Sequence, residues 1–382
     1  MSLWNLVRFF AIVGCFLLSL LVFYPAPNLP LFELKLVATE YGHWLALLAV
    51  ILMVAGRRMT AMDSVSIVLA GLAAVMLIST SIRAIATGSK VRDGLQAAFP
   101  TTENPEKESG SPYSWSKLWG WGKPPIVTPE EVVFAHHSDA PLTLDFYPSR
   151  TRSSAPCVIV VHGGGWNSGS RKDSVALNHE LSRRGYAVAA IDYRLAPKYT
   201  WPAQRDDTRA AIHYLQSHAE ENGINPHMFV LLGRSAGGQI AEATTASGLE
   251  KDIRGCIAFY SPADMRFAYE HADGKDILNS EKLLREFLGG TPAEAPENYD
   301  SATANGQVSA STPPMLLLHG ETDELVWFKQ SERLDGRLSE VGAPHFLVRL
   351  PWATHAFDYN YNGPGGQIST WAVCKFLESV TR

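Results

Sequence analysis

The stretch MFVLLGRSAGGQIAEATTA, residues 228–246, decides the fold. Met228 to Leu232 is a continuous apolar run, the pattern of a strand buried on both faces. Gly237 to Ala246 reads as helix. Between them lies Gly233-Arg234-Ser235-Ala236-Gly237. A bare G-x-S-x-G is a weak signal, because small-residue turns are common. Between a strand and a helix it becomes specific. The glycines allow a turn tight enough to lift the Ser235 hydroxyl off the sheet, and the helix N-terminus favours negative charge beside it. Ser235 is therefore the candidate nucleophile.

Outward from this turn, strand and helix patterns alternate. Val132 to His136 and Leu142 to Tyr147 read as short opening strands. Further strands are expected at Cys157 to His162, Ala187 to Tyr193, Ile253 to Tyr260, Met315 to His319 and Phe346 to Leu350. Helices are expected at Ser174 to Arg184, Ala203 to His218 and Ser369 to Ser379. Such alternation implies a mostly parallel sheet with helices on both faces, and ligands collect at the carboxyl ends of its strands. The segment Ala263 to Thr312, rich in Gly, Pro, Asn, Asp and Glu with a helix at Ser280 to Leu288, is expected to overhang the site.

Three more groups belong at that edge. His162-Gly163-Gly164-Gly165-Trp166 ends a buried strand. Acyl transfer needs N–H groups aimed at a developing oxyanion, and glycines let backbone approach closely. Gly163, Gly164 and Gly165, with Ala236 after the serine, are the candidate donors. Trp166 is a candidate substrate contact, and His162 is read as a brace for the loop. A nucleotide-binding loop is excluded, since no Lys-Ser/Thr follows and the spacing is not G-x-G-x-x-G. Asp323 lies just past the strand ending at His319, and His355 just past the strand ending at Leu350. The order Ser235, Asp323, His355 is that of an α/β-hydrolase triad.

From about Glu131 onward the chain resembles the hormone-sensitive-lipase-like and feruloyl-esterase-like branch of the α/β-hydrolases. The matches are His162 to Trp166, Asp192-Tyr193-Arg194-Leu195-Ala196-Pro197, Trp201-Pro202-Ala203, Gly233 to Gly238 and His319-Gly-x-x-Asp323. The resemblance implies the α/β-hydrolase fold, an oxyanion loop at Gly163 to Gly165, a structural role for Asp192-Tyr193-Arg194, and no cofactor or metal. The expected activity is hydrolysis of a small or medium carboxylic ester through an acyl-serine. An amide or formamide hydrolase and an acyltransferase are the enzymatic alternatives. A non-catalytic hydrolase-fold membrane scaffold is the alternative of another class. The chain departs from the family at Arg234, which puts a long basic side chain inside the elbow. It departs again before Glu131, where some members build a substrate cap.

That N-terminal region is mostly apolar. Three stretches lack Asp, Glu, Lys and Arg: Phe9 to Phe32, Tyr41 to Gly56 and Ser64 to Ile82. A membrane span needs about 20 apolar residues. The expected organisation is an all-α transmembrane region over 1–92 with helices at about 4–24, 37–56 and 64–82. A linker over 93–130 and the catalytic domain over 131–382 follow. The second span is marginal, because lengthening it brings Glu40 into the interface. A cleaved signal peptide is disfavoured, since no small-x-small site follows Phe23 cleanly. Basic residues do not orient the spans: Arg8, Arg57 and Arg58 fall on one side, and Lys35, Arg83, Lys90 and Arg92 on the other. The short turn from Arg57 to Asp63 favours a cytoplasmic Arg pair and a non-cytoplasmic catalytic domain. In the linker, Trp115, Trp119 and Trp121 with Lys117 and Lys123 suit either a membrane interface or a brace on the catalytic domain. Because every catalytic motif follows Glu131, residues 131–382 are expected to fold alone.

The net charge of −5, with no long basic run, excludes a nucleic-acid partner and leaves an ester and the bilayer as partners. The four cysteines, Cys15, Cys157, Cys256 and Cys374, show no CxxC or zinc spacing and read as free thiols, with a single bridge among them as the alternative and the redox compartment left open.

Overall fold

Eight strands make one sheet: β1 (Glu130–His136), β2 (Pro141–Tyr147), β3 (Ala155–Val161), β4 (Ala187–Ile191), β5 (Ile224–Arg234), β6 (Ile253–Phe259), β7 (Met315–Gly320) and β8 (His345–Leu350). They lie in the order β1-β2-β4-β3-β5-β6-β7-β8. The pairs β1–β2 and β2–β4 are antiparallel, and all later neighbours are parallel. Gly233 pairs with Val161 on one side and Ala258 on the other. That register brings the residues after β3, β5 and β6 to one edge of the sheet. The computed structural model describes residues 3–55, 61–100, 110–120, 126–137 and 141–382. The turn with Arg57 and Arg58, linker residues 101–109, Trp121 and Lys123 lie outside the described residues.

At the N-terminus, α1 (Leu3–Leu20) and α4 (Ala61–Ala98) contain runs long and apolar enough to cross a membrane. Between them, α2 (Leu29–Glu40) and α3 (Gly42–Val54) meet at Tyr41 with an 82° bend. The helix expected over 37–56 is thus divided. Its second part has 13 residues and rises roughly 20 Å, short of a hydrocarbon core of about 30 Å. The break has local causes. A Cβ on Gly42 would lie 2.6 Å from the Leu77 carbonyl oxygen, so α3 begins pressed against α4. The Glu40 carboxylate accepts from the Gly365 amide at 3.0 Å, out of any apolar path. Arg8 is buried, pairs with Asp63 and donates to the Leu52 carbonyl at 3.2 Å, gathering the far ends of α1, α3 and α4.

The helix expected over 64–82 continues to Ala98, beyond the expected linker boundary at 92. Val91 and Leu95 on its last turns, then Phe99, enter the catalytic core. Phe99 packs edge-on to Phe376 with centroids 5.1 Å apart, and a Cβ on Gly94 would sit 2.5 Å from the Phe346 ring. After a short turn, α5 (Trp115–Leu118) buries Leu118 in the same cluster as Tyr113. Trp119 meets Trp44 of α3 at 4.7 Å, and His43 bonds the Leu118 carbonyl at 2.9 Å. The tryptophan segment therefore bridges α3 and the catalytic domain. The expectation that residues 131–382 fold alone conflicts with this packing, since that piece loses part of its core.

The other helices are α6 (Val175–Arg183), α7 (Ala203–Ser217), α8 (Ala236–Ala246), α9 (Met265–Glu270), α10 (Ser280–Leu288), α11 (Pro296–Ala302), α12 (Lys329–Val341) and α13 (Pro364–Val380). On one face α7, α8 and α12 cover the side chains of Ile159, Leu231 and Leu317. On the other, α6, α13 and the end of α4 cover Val158, Leu232 and Leu318. All four cysteines are free and buried.

Candidate active site

Ser235 sits between β5 and α8 at φ +53°, ψ −122°, a conformation that costs a non-glycine residue of order 1–3 kcal/mol. Its neighbours hold it there. The Ser235 amide donates to the Phe259 carbonyl at 2.9 Å. A Cβ on Gly233 would lie 2.0 Å from the Gly237 oxygen, and one on Gly237 would lie 2.2 Å from the Val161 oxygen. The turn closes only because both positions lack side chains.

The glycine loop faces this elbow. Gly164 and Gly165 adopt φ +111° and +57°. The Gly164 carbonyl accepts from the Ser168 amide at 3.0 Å and the Ser168 hydroxyl at 2.8 Å, which turns it into the loop. Among the described residues, no acceptor takes the amide N–H of Gly164, Gly165 or Ala236. Gly163 abuts the elbow, where a Cβ would lie 3.4 Å from Ser235 Cβ. His162 Nδ1 lies 2.7 Å from the Gly163 carbonyl, and its ring stacks on Tyr193 at 4.2 Å. Burial lowers the His162 pKa and keeps the ring neutral, as suits a brace. Asp192 pairs with Arg171, and Arg194 with Asp207, so both charges of that motif are spent on structure.

Asp323 follows β7 and His355 follows β8. The His355 Nδ1 lies 2.7 Å from Asp323 Oδ2, while Asp323 Oδ1 accepts from the Leu325 and Val326 amides at 2.8 and 2.9 Å. With Nδ1–H given to Asp323, the Nε2 of His355 is left as a base. His319 Nε2 stands 3.3 Å from Asp323 Oδ2. Burial opposes the charge on Asp323. The two imidazoles outweigh it and hold this carboxyl well below the usual carboxylate range. Nearby acids are engaged elsewhere: Glu321 with Arg349, Glu324 with Thr354 and Lys35, and Asp358 with Arg234.

Ser235, His355 and Gly163 to Gly165 line a cavity of about 730 Å³, within the usual size of small-molecule sites. Leu278 and Leu283, from the overhanging segment, and Trp327 supply apolar wall. Trp166 also lines it but is 5% exposed, with its indole stacked on Phe287 at 4.3 Å and bonded to Gln239 at 3.0 Å. It is a fixed wall rather than a mobile contact.

The sequence puts Tyr260 at the end of a strand and Arg234 inside the elbow, but assigns neither a role at the site. Arg234 donates to Asp358 at 2.6 Å, and Tyr260 donates to the same carboxylate at 2.5 Å. The Tyr260 ring lies 4.3 Å from the His355 ring. Arg234 thus anchors the loop that carries His355. Tyr260 follows β6 directly, and that position is the available signal.

Sheet order, strand–turn–helix elbow, glycine loop and Asp–His pair define an α/β-hydrolase. Residues 144–338, just over half of the chain, match the BD-FAE family, and the chain belongs to it. It is similar to a probable carboxylic ester hydrolase, LipM, of Mycobacterium tuberculosis: 25% identical over 295 residues, 69% of this chain and 67% of the relative. Esterase LipC of the same organism is 28% identical over 244 residues, 60% of this chain and 59% of the relative. With LipQ, for which the share is 52%, the chain spans between about half and two thirds of the length of these relatives. A propionate-bound thermophilic esterase of Thermogutta terrifontis shares the fold, with TM-score 0.55 and 24% identity over 66% of this chain and 94% of that one. These relatives are named as carboxylic ester hydrolases and esterases.

Proposed function

We propose that the protein is a membrane-anchored serine esterase with Ser235 as nucleophile, His355 as general base and Asp323 as the orienting acid. The observation that carries this reading is the 2.7 Å bond between His355 Nδ1 and Asp323 Oδ2, with His355 and Ser235 lining one cavity. Ser235 Oγ attacks the ester carbonyl and its proton passes to His355 Nε2. The oxyanion is met by the free amides of Gly164, Gly165 and Ala236, with Gly163 behind them. His355 then protonates the leaving alcohol. Water, deprotonated by the same nitrogen, frees the acid from the acyl-serine. The substrate is a carboxylic ester, as the names of the relatives suggest.

Anchoring rests on α1 and α4, whose apolar runs are long enough to span. A fluorophosphonate probe should label the full chain in membranes. Ser235→Ala should abolish both labelling and turnover of p-nitrophenyl esters while leaving the fold intact. Labelling that survives Ser235→Ala would reassign the nucleophile. The protein should stay in the membrane fraction after carbonate and high-salt washes, and quantitative release would refute the spanning arrangement.

A further inference from the structure

Lys35 on α2 is 2% exposed, and its ammonium pairs with Glu324, a residue that lines the proposed active-site cavity. Burying an ammonium costs several kcal/mol unless it is paired, so this contact must be met by a carboxylate. Lys35 Nζ also reaches the Thr322 carbonyl at 3.4 Å. Glu324 Oε1 accepts the Ala26 amide at 3.1 Å, and Oε2 accepts the Thr354 hydroxyl at 3.1 Å. Thr322 in turn donates from its amide and hydroxyl to the Ala353 carbonyl at 3.1 and 3.0 Å. Residues 322 and 324 flank Asp323, and residues 353 and 354 precede His355. The two loops are stitched together, and the stitch is fastened to the N-terminal region at Lys35 of α2 and at Ala26 in the connection between α1 and α2.

We propose that Lys35 is a positioning residue for the Asp323–His355 pair: it neutralises the Glu324 carboxylate beside that pair and holds the two loops in register. The N-terminal region then helps build the site as well as anchoring it. The inference rests on the triad reading above. It also has a sign. Without Lys35, the Glu324 carboxylate stays beside the loop of His355 uncompensated and favours the imidazolium. Without the Glu324 charge, the Lys35 ammonium disfavours it. The other groups facing the imidazole are unchanged by either substitution. They are Asp323 with His319 behind it and Tyr260 with the Arg234–Asp358 pair behind it, and the same cavity is also lined by His162, Arg171, Asp173, His271, Asp273 and Asp276.

The test is the pH profile of kcat/KM for a p-nitrophenyl ester, using the full chain in detergent, with active sites counted by fluorophosphonate labelling. Lys35→Met should move the acid limb up by roughly 0.5–1 pH unit and lower kcat per labelled site about tenfold, with KM little changed. Glu324→Gln should move the limb the other way, and the double variant should fall between them. Lys35→Arg should keep the wild-type limb. If Lys35→Met does not fold, Glu324→Gln and the double variant still report the sign. An acid limb that stays fixed in every folded variant, whatever the fraction of labelled sites, overturns the proposal. An active Ser235→Ala would instead overturn the triad reading beneath it.

Discussion

The N-terminal helices and the sheet domain solve opposite problems. In the sheet, Val158, Leu232 and Leu318 are sealed between helices. In the helices, Phe10, Leu17, Ile51, Val68 and Val75 face outward, while Arg8, Asp63 and Lys35 are buried. That inversion suits a hydrocarbon solvent on one side and water on the other. Backbone is tightly constrained at particular points of both regions. A Cβ on Gly237 would strike the Val161 oxygen at 2.2 Å and one on Gly42 the Leu77 oxygen at 2.6 Å, whereas Gly14 and Gly71 in the helices and Gly306 and Gly336 in the sheet domain have nothing within 4 Å. The division is incomplete, since α4 belongs to both regions and the core of the second includes its last turns.

The largest effect should come from cutting at the wrong place. A chain beginning at Glu131 lacks Val91, Leu95, Phe99, Tyr113 and Leu118, all buried against the sheet. It should aggregate, or melt far below the full protein. A chain beginning at Arg83 keeps them and should stay folded. Size-exclusion profiles and thermal melts of the two pieces decide this. A stable, monodisperse 131–382 would show that the two regions are separable after all.

Gly237→Ala should abolish turnover and cost several kcal/mol of stability, because backbone must move to admit the methyl group. Gly71→Ala, in open space within a helix, should be neutral or stabilising by up to about 1 kcal/mol. Thermal melts and ester turnover of both variants sharpen the contrast. Equal damage at both sites would erase it.

Asp323→Asn should lower kcat by orders of magnitude. In a serine protease triad, removing the charge of the orienting aspartate in this way costs on the order of 10⁴. Glu321→Gln, whose partner Arg349 is exposed, should keep kcat within about tenfold. Asp358→Asn should also keep kcat per labelled site within about tenfold. It should still cost a few kcal/mol of stability, because it leaves the buried Arg234 without its counter-charge. Collapse of turnover in either of the latter, with normal Asp323→Asn, would move the acid.

The parts of the molecule legible in sequence are those where a local pattern has one physical reading. The elbow is such a case, since a strand, Gly-x-Ser-x-Gly and a helix fit together in few ways. The buried run of β3 is another. The helix at Ser280 to Leu288 is legible to the residue because Leu284, Phe287 and Leu288 form an apolar face. By contrast α12 does not stand out. Its buried apolar face is only Leu334 and Leu338, and Gly336 interrupts the propensity, yet a parallel β7–β8 pair requires a crossover there. The Tyr41 bend and the reach of α4 under the sheet depend on contacts distant in sequence, such as Gly42 with Leu77 and Phe99 with Phe376. The same holds for Lys35 and Glu324. No local pattern announces a pair 289 residues apart.

The last effect concerns buried charge. It is paired at Arg8–Asp63 in the helices, at Lys35–Glu324 between the two regions and at Arg234–Asp358 in the sheet domain. Glu242, on α8 within the sheet domain, is buried with only the Ser261 hydroxyl at 2.5 Å on one oxygen, and no partner among the described residues on the other. Burial pushes its carboxyl from the ordinary 4.5 up to about 8, against the pull of Ser261. The folded chain therefore binds a proton there that the unfolded chain has already lost. This contribution to stability is complete below about pH 4.5 and is lost as pH rises through about 8. Within that window the slope approaches about 1.4 kcal/mol per pH unit. Glu242→Gln keeps the shape and the Ser261 contact but cannot ionise. Chemical denaturation at pH 5 and at pH 8 should show wild type losing more stability than Glu242→Gln over that interval. Parallel losses in the two proteins would mean that Glu242 folds as a paired carboxylate, as Asp358 is paired with Arg234.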